Sequence, residues 1–244
     1  MKETIYGRNP VYETLRAGRR QAFQLFLAEG VQPNPRLDGI IELAGKRKLP
    51  VTRLPRPRLE RFGDNHQGVA LEVGPYPYVS LADILRRADD RSEALFILIL
   101  DSLQDPQNLG TLIRTAEAVG VHGVIIPGQR SAEVTPSVVS ASAGASEHML
   151  VVQSNLAQAI SELKHAHAWV VGLDESEDSL PPEQVRLDGP LALVVGSEGE
   201  GMRQLVRKQC DLLLRLPMQG KVASLNAAVA GSVGLYLAYM ARKI

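Results

Sequence analysis

The chain has 244 residues, of which 45% are hydrophobic and 22% charged, and its 27 basic and 27 acidic side chains leave no formal net charge. This composition is ordinary for a soluble protein, and the length is enough for one large domain or two modest ones. The one cysteine, Cys210, excludes an internal disulfide framework, and no apolar signal segment opens the chain. A reducing, cytoplasmic location is therefore expected.

The first 75 residues alternate between strand and helix patterns. Strands are predicted at Phe23–Ala28, Val51–Leu54 and Val69–Val73, with a helix around Leu37–Lys46 and a short helix near Leu59. The Gly-Pro-Tyr-Pro-Tyr run at 74–78 continues neither structure, and the polar stretch at 86–93 is typical of a solvated helix end. The sequence therefore predicts a small α/β domain over 1–75, a linker over 76–94 and a larger domain over 95–244.

Charge is distributed unevenly between these parts. Residues 1–75 hold 13 Lys and Arg against 8 Asp and Glu, whereas the remainder holds 14 against 19. A basic domain attached to an acidic one suits docking on nucleic-acid phosphates, with base identity read elsewhere. The same excess also occurs in proteins that have no such partner, so the charge pattern leaves both interpretations open.

Three strand-loop-helix junctions lie in the second part. Apolar runs of strand length at Leu95–Leu100, Leu191–Val195 and Leu212–Leu216 each lead into a loop with glycine and polar residues. A helix is predicted to begin near Asn108 after the first run, and another to end near Cys210 after the second. This pattern describes an open, mostly parallel α/β sheet whose ligand lies where the strand ends converge.

The last junction, from Leu216 to Asn226, is the most informative. Pro217 ends the strand, Gly220 lets a ligand approach the backbone, and Ser224 stands where a helix N-cap is expected. A strand end, a loop and a helix start with free N–H groups form a rim that suits a polar small molecule.

The helix after this junction raises the alternative of a membrane span. Residues 222–241 carry no charge, and Ala227 and Gly231 have the small-residue spacing of paired membrane helices. Ser224, Asn226 and Ser232 interrupt the segment, however, and its alanines and glycines dilute its hydropathy. The prediction is a C-terminal helix buried against a sheet or against a second subunit.

Three ordered motifs in the second part resemble those of the SpoU/TrmH RNA ribose 2′-O-methyltransferases. They are Asn108 with Arg114, the run Gly-Ser-Glu-Gly-Glu-Gly at 196–201, and Leu-Pro-Met-Gln-Gly at 216–220 followed by Ser224-Leu-Asn226. The resemblance covers residue 95 to the C-terminus. In addition, residues 5–15 and the run His-Gln-Gly-Val-Ala at 66–70 look like the extra domain of the bacterial 23S rRNA guanosine 2′-O-methyltransferase branch.

The resemblance implies an enzyme that transfers a methyl group from S-adenosylmethionine to an RNA ribose. It also implies a SPOUT trefoil knot in the C-terminal sheet, and a homodimer in which the neighbouring subunit completes each site. The N-terminal domain then becomes the RNA-substrate-binding domain. No metal is expected, because none of the five histidines has metal-ligand spacing.

The family motifs carry over two groups of site residues. The residues expected to bind the cofactor are Gly196, Gly201, Leu216, Met218 and Leu225. The residues expected to act in catalysis are Asn108, Arg114, Glu198, Ser224 and Asn226.

Arg114 is the strongest catalytic candidate. It lies off the apolar stripe of its predicted helix, and the sequence alone also fits a surface ion pair with Glu117. The resemblance implies a role in activating the ribose 2′-hydroxyl. Because a guanidinium hardly loses its proton, we expect Arg114 to bind the neighbouring phosphate and stabilise the developing alkoxide rather than act as a base.

The other catalytic candidates have structural alternatives. Asn108 is placed to cap its helix, Glu198 to be a solvated loop carboxylate, and Ser224 or Asn226 to cap the last helix. The resemblance instead implies that Glu198 orients the methyl donor or Arg114, and that Asn108 holds Arg114 or the ribose.

Departures from the family pattern concern the RNA target. Gln107 and Asn9 stand where this branch commonly has His, and Ser140 and Met149 replace a frequent Lys and a frequent Pro. A guanosine of 23S rRNA is the expected target. The alternatives are a tRNA, another rRNA site, and a non-catalytic RNA-binding role.

Overall fold

The computed structural model describes residues 2–63, 65–129, 131–222 and 224–243. These residues form two compact units. The first takes in the chain up to Pro77 together with Val134–His148, and the second comprises Tyr78–Glu133 and the chain from Met149 onward.

Helices and strands alternate along most of the chain. The elements are β1 (Glu3–Tyr6), α1 (Arg8–Ala17), β2 (Ala22–Ala28), α2 (Pro35–Lys46), β3 (Val51–Leu54), α3 (Arg56–Glu60), β4 (Val69–Val73), α4 (Leu81–Arg91), β5 (Phe96–Leu100), α5 (Pro106–Ala118), β6 (Gly123–Pro127), α6 (Pro136–Ala141), β7 (Val151–Ser154), α7 (Leu156–His165), β8 (Trp169–Leu173), β9 (Leu191–Val195), α8 (Gln204–Gln209), β10 (Leu212–Leu214) and α9 (Ala227–Ala241).

The first unit is built on a mixed sheet with the strand order β1-β4-β2-β3. β4 runs antiparallel to β1 and β2, whereas β3 is parallel to β2. The predicted strands and helices after residue 22 are confirmed, but the sequence predictions missed β1 and α1. β1 is only four residues long, and Pro10 in the first turn of α1 obscures the helical pattern. Proline is tolerated there because the N–H groups of the first turn have no partner within the helix.

The segment Val134–His148 groups with the first unit, whereas the predicted domains are each continuous in sequence. Arg20 and Glu147 are both buried and form an ion pair, with 3.2 Å between Arg20 Nε and Glu147 Oε2. The Tyr76 hydroxyl donates a hydrogen bond to the Ser146 carbonyl over 2.9 Å. Burial raises the pKa of Glu147, and the charge of Arg20 opposes that rise. No local sequence pattern reports these contacts, because the partners are far apart in the chain.

The second unit is an α/β domain on a parallel sheet with the order β10-β8-β9-β5-β6-β7. Each neighbouring pair of its strands is parallel. The central strands β5, β6 and β9 are buried along their whole length, as expected for strands covered on both faces. The predicted open parallel sheet is therefore confirmed, and the trefoil knot stays a prediction.

The predicted linker over 76–94 contains a helix, α4, that packs into the core of the second unit. Leu81, Ile84 and Ala88 are buried on one face of α4. A capping box starts the helix, with the Ser80 hydroxyl and the Asp83 carboxylate each bonded to the other's backbone N–H. The polar stretch at 86–93 contains the end of this helix, as the sequence predicts, and its composition reflects the charged outer face of an amphipathic helix.

α9 is a packed helix of the second unit. Gly231 lies against α5 and β9, where a Cβ atom would come within 2.5 Å of the Leu112 side chain. The small residues thus let the helix approach its neighbours closely, as the sequence predicts. Within the described ranges, no helix combines the length and hydropathy that crossing a bilayer requires.

Candidate active site

A cavity of about 760 Å³ opens at the carboxyl ends of β8, β9 and β10, beside the start of α9. Parallel strands bring these ends to one edge of the sheet, as the sequence junctions predict. Most of the predicted site residues line the cavity: Gly196, Glu198, Gly201, Leu216, Met218, Ser224, Leu225 and Asn226. Asn108 and Arg114 are not among the lining residues.

The loop after β9 forms a tight wall of this cavity. Ser197 and Gly201 exchange backbone hydrogen bonds of 3.0 and 3.1 Å, and Gly199 and Gly201 take positive φ angles of 77° and 67°. A Cβ atom on Gly196 would lie 2.2 Å from the backbone carbon of Gly201, so this position accepts only glycine without a shift of the loop.

Asp101 anchors that loop from the end of the neighbouring strand β5. Its buried carboxylate accepts hydrogen bonds from the Arg203 backbone N–H at 2.8 Å and from Arg203 Nε at 2.7 Å. The Asp101 N–H in turn donates to the Val195 carbonyl over 2.8 Å. Sequence reasoning did not single out Asp101, although its place directly after a buried strand was a signal for it.

Side chains from the three motifs meet in one hydrogen-bonded cluster. Asn108 Nδ2 donates to Glu198 Oε1 over 3.0 Å, and Asn226 Nδ2 donates to Asn108 Oδ1 over 3.2 Å and to Glu198 Oε1. We refer to Asn108, Glu198 and Asn226 as the amide–carboxylate cluster. It ties α5, the loop after β9 and the start of α9 together at the edge of the cavity.

Asn226, and not Ser224, is the N-cap of α9. Its Oδ1 accepts hydrogen bonds from the N–H groups of Ala228 at 2.9 Å and Val229 at 3.1 Å. Because the amide oxygen is engaged by the helix, the amide nitrogen must face Asn108 and Glu198. Asn226 is therefore the capping residue and also contacts two other predicted site residues, while its role in catalysis stays a prediction.

Asn108 does not cap α5 either. Asp105 occupies the N-cap position and accepts a hydrogen bond from the Gln107 N–H over 3.0 Å. α5 begins at Pro106, so Asn108 lies in its first turn with its side chain free for the cluster. The sequence predicts the start of α5 two residues too late, near Asn108. Pro106 interrupts the apolar pattern, but proline is well suited to the first turn of a helix.

Arg114 is exposed on α5. It forms no hydrogen bond or ion pair with any other residue that the structure describes, and the alternative surface pair with Glu117 is not formed. Arg114 also does not line the cavity of its own chain.

A second polar network lines the cavity and was not predicted. Asp174 follows β8 and accepts hydrogen bonds from the Ser176 hydroxyl and from Arg207 Nε at 3.1 Å. Burial disfavours the charged form of Asp174, but the hydrogen bonds from Ser176 and Arg207 outweigh it, so the pKa of this carboxyl is lowered. Like Asp101, it stands directly after a strand of the sheet.

The cavity combines these polar groups with apolar side chains. Val195, Leu216, Met218 and Leu225 offer apolar surface, while Glu198 and Asp174 offer carboxylates. Its volume is within the range of small-molecule and cofactor sites. Within the described part of the chain, no group of His, Cys, Asp and Glu is arranged to hold a metal ion.

Two family profiles match the chain. The SpoU rRNA Methylase family matches residues 95–236, and the profile described as RNA 2′-O ribose methyltransferase substrate binding matches residues 4–79. The first match contains all three motifs and the whole of the cavity lining.

Relatives share the whole length of the chain. YacO of Bacillus subtilis (strain 168), named as a TrmH family tRNA/rRNA methyltransferase, is 44% identical over 98% of this chain and 95% of its own length. A Staphylococcus haemolyticus (strain JCSC1435) protein named for the same family is 39% identical over 98% of this chain and 95% of its own.

Solved structures share the fold. The SpoU methyltransferase AviRb from Streptomyces viridochromogenes, crystallised in complex with the cofactor AdoMet, superimposes with a TM-score of 0.81. It is 26% identical, and the match covers 99% of this chain and 91% of that chain. An rRNA methyltransferase from Sinorhizobium meliloti, 24% identical over 97% of this chain and 86% of that chain, has the same fold with a TM-score of 0.79.

The identity to these relatives over nearly the full chain and the profile match across the second unit agree with the motifs. The chain belongs to the SpoU rRNA methylase family, and the enzyme class expected from its motifs, an S-adenosylmethionine-dependent RNA methyltransferase, is confirmed.

Proposed function

We propose that the enzyme methylates the ribose 2′-hydroxyl of a guanosine in 23S rRNA, in the cytoplasm, as a homodimer. The observation that carries the catalytic part is the amide–carboxylate cluster, which joins residues from all three motifs at the edge of the cavity. The alternative of a non-catalytic RNA-binding role does not account for a cluster of these three side chains at a cofactor-sized cavity.

The cavity fits the methyl donor. When bound, S-adenosylmethionine supplies a positively charged sulfonium whose methyl group is the electrophile. The wall at Gly196 leaves room for close backbone contact, and Leu216, Met218 and Leu225 give apolar surface for an adenine ring. The carboxylates of Glu198 and Asp174 favour a cationic ligand over an anionic one.

The cluster holds Glu198 in a defined orientation. Both amide donors bond to its Oε1, which leaves Oε2 to accept a hydrogen bond from a ligand group at the cavity edge. A side chain fixed by two neutral donors costs little reorganisation when substrate binds. Glu198 is thus suited to orient the donor or the ribose.

The homodimer rests on one exposed face of α9. Val229, Val233, Tyr236 and Met240 are 48%, 41%, 50% and 59% exposed and recur at helical spacing. An apolar stripe of this kind on a soluble protein marks an association surface. α9 packs on α5, where the Thr115 and Ser232 hydroxyls are 2.9 Å apart, so a partner on this stripe would meet the helix that carries Arg114.

Arg114 then acts in the site of the neighbouring subunit. It is exposed and has no partner among the described residues of its own chain, while the cavity of its own chain is lined without it. Since the guanidinium stays protonated, we assign it to the phosphate beside the target ribose and to the developing alkoxide. The proton leaves to phosphate or water.

The reaction is tested with purified protein, tritiated S-adenosylmethionine, and separate transcripts of 23S rRNA, 16S rRNA and a tRNA mixture. We expect label in 23S rRNA, resistant to alkali and recovered in a dinucleotide that begins with guanosine. Label in tRNA alone would replace the proposed target and keep the chemistry. No label in any RNA, together with no heat of donor binding in calorimetry, would refute the enzymatic proposal.

A further inference from the structure

A second cavity lies in the first unit, far along the sequence from the methyltransferase motifs. It has a volume of about 480 Å³ and is formed by the turn after β1, the loop between β2 and α2, the start of α3 and the turn before β4. Its lining residues are Arg8, Ala28, Glu29, Gly30, Val31, Gln32, Asn34, Arg56, Gln67 and Gly68. We call it the N-terminal cavity.

The walls of the N-terminal cavity are held by a dedicated set of hydrogen bonds. Arg8 Nε donates to the Gln67 carbonyl over 3.2 Å, and Arg8 Nη2 donates to the Gln32 carbonyl over 2.8 Å. Arg8 therefore braces two walls and has few donors left for a ligand. The Gly68 N–H donates to Nδ1 of the buried His66 over 2.9 Å, which fixes the turn on the third side.

The turn at Gln67 and Gly68 forms one wall of the cavity in an unusual backbone conformation. Gln67 and Gly68 both take positive φ angles, 50° and 79°, and a Cβ atom on Gly68 would lie 2.6 Å from the Val31 side chain. A non-glycine residue such as Gln67 in this region costs conformational energy. The strained residue Gln67 therefore lies in the wall of the cavity.

Four arginines lie in and around α3, and one of them, Arg56, lines the cavity. Arg53, Arg56, Arg58 and Arg61 are all exposed, and among the described residues none of them forms an ion pair. We call them the arginine row. Arg56 belongs both to the row and to the cavity lining, so the row meets the cavity at this residue. Glu60 is the acidic residue within the row and Glu29 the acidic residue in the lining.

This arrangement fits a nucleotide with its base and its phosphates in different places. The cavity offers a carboxylate, backbone carbonyls and short apolar side chains, which suit the amino groups and flat face of a base. The arginine row offers guanidinium groups, which suit phosphates. A phosphate alone would not favour a cavity containing Glu29, and a paired base could not enter it.

We propose that the N-terminal cavity binds one unpaired, turned-out nucleotide of the RNA substrate, with the arginine row on the flanking phosphates. The inference deepens the proposed function, on which it rests for the identity of the ligand as RNA. The first unit also matches the RNA 2′-O ribose methyltransferase substrate-binding profile, which does not say where on the domain RNA lies. The cavity makes unpaired RNA a better ligand than a duplex.

The test uses a fluorescein-labelled single-stranded RNA of 12 nucleotides of mixed sequence, free and annealed to its complement, with the full-length protein. We expect the single strand to bind more tightly than the duplex. The variant Arg56→Gln/Arg58→Gln should bind the single strand about tenfold more weakly or worse. Its salt slope should fall by roughly 0.7 for each lost phosphate contact. Arg91→Gln, which removes an exposed arginine of α4, is the matched control and should behave like the parent protein.

A second arm locates the base directly. The same RNA carrying 4-thiouridine is cross-linked by light, and the peptides are mapped by mass spectrometry. Cross-links within 28–34 or 67–68 support the inference, whereas cross-links confined to other segments overturn it. Equal affinities for the Arg56→Gln/Arg58→Gln and Arg91→Gln variants also overturn it, as does a parent protein that fails to bind the single strand.

Donor binding and methylation separate this inference from the proposed function. If the parent protein methylates rRNA and the arginine variants methylate it with unchanged KM, the inference fails and the proposed function stands. If the parent binds the probe in the N-terminal cavity but neither binds S-adenosylmethionine nor methylates RNA, the proposed function fails and the cavity assignment stands.

Discussion

At the scale of one residue, both ends of the Asn226 side-chain amide are engaged by neighbouring groups. Its amide oxygen caps α9, and its amide nitrogen donates to Asn108 and Glu198. Rotating the side-chain amide by 180° would break both the hydrogen bonds to the helix and those to Asn108 and Glu198. The helix cap thus fixes the orientation of the site residue.

Replacing Asn226 by serine should separate the two roles. Serine is as good an N-cap as asparagine but lacks the amide donor, whereas Asn226→Ala loses the cap as well. We expect Asn226→Ser to keep the melting temperature of the parent and to lose about tenfold or more in kcat/KM. Asn226→Ala should lose similar activity and also about 1 kcal/mol of stability. A serine variant with full activity would show that the amide contacts are only structural.

Arg114 gives a second prediction at this scale. Arg114→Lys keeps the positive charge but removes the planar pair of donors that binds a phosphate. Turnover should fall by about 100-fold, as when one oxyanion donor is lost, while donor affinity by calorimetry stays unchanged. Near-parental turnover in the lysine variant would rule out a specific guanidinium role.

The surroundings of His122 lead to a prediction of how the free energy of unfolding depends on pH. It is buried, its Nδ1 accepts from the Phe96 N–H over 3.0 Å, and its Nε2 lies 2.9 Å from Glu93. Burial lowers the pKa of His122, although the hydrogen bond to Glu93 opposes this. The unfolded chain therefore takes up the proton first as the pH falls.

The stability that neutral His122 contributes is full above the ordinary histidine pKa of about 6.5 and is lost as the pH falls through its lowered folded value. Urea unfolding from pH 8 to pH 5 should show a declining midpoint in the parent. The decline should be smaller in His122→Asn, with His165→Asn as an exposed control. Identical pH profiles for the three proteins would contradict this assignment.

At the scale of elements, the loop after β9 is held by several independent contacts. Its backbone bridge, its two positive φ angles and the Asp101–Arg203 pair fix its course, and Gly196 lies directly against Gly201. The close approach leaves no room for a side chain at residue 196 in this wall of the cavity.

Gly196→Ala should therefore disturb the wall without unfolding the sheet. The added Cβ atom must displace the backbone at Gly201, which costs about 1–3 kcal/mol. We expect the Kd for S-adenosylmethionine to rise roughly tenfold or more. Gly189→Ala, where an added Cβ meets nothing within 4 Å, should leave the Kd unchanged. Unchanged donor affinity in the Gly196 variant would mean that the donor does not use this wall.

For the whole molecule, the proposed dimer makes each active site a product of two chains. The apolar stripe of α9 and the exposed Arg114 lie on packed neighbouring helices, so one association surface can both bury the stripe and deliver the arginine. A twofold dimer repeats this exchange in both sites.

Mixed dimers test this arrangement. At a donor concentration well below the parent Kd, Arg114→Ala and Gly196→Ala should each retain about a tenth of the parent activity or less. Co-expression gives mixed dimers in which one site carries both changes and the other neither. With random pairing, activity should return to roughly a quarter of the parent value. If Arg114 serves its own chain, every site in the mixture is defective and activity stays at the level of the single variants.

The sequence by itself determined the features that depend on local order. Apolar runs followed by glycine and polar residues predicted the strands β5, β9 and β10 and the edge where the cavity lies. The residues carried over from the family resemblance form much of the lining, and they gather there because residues directly after parallel strands lie at one edge of the sheet.

The tertiary structure decided what depends on partners far apart in the chain. It assigned Val134–His148 to the first unit through the buried pair of Arg20 and Glu147, and it packed α4 where the sequence predicts a linker. It also chose between caps that the sequence leaves equal, since Ser224 and Asn226 are both good N-caps. Side-chain hydrogen bonds and burial across the chain made these choices, and neither leaves a periodic pattern in the sequence.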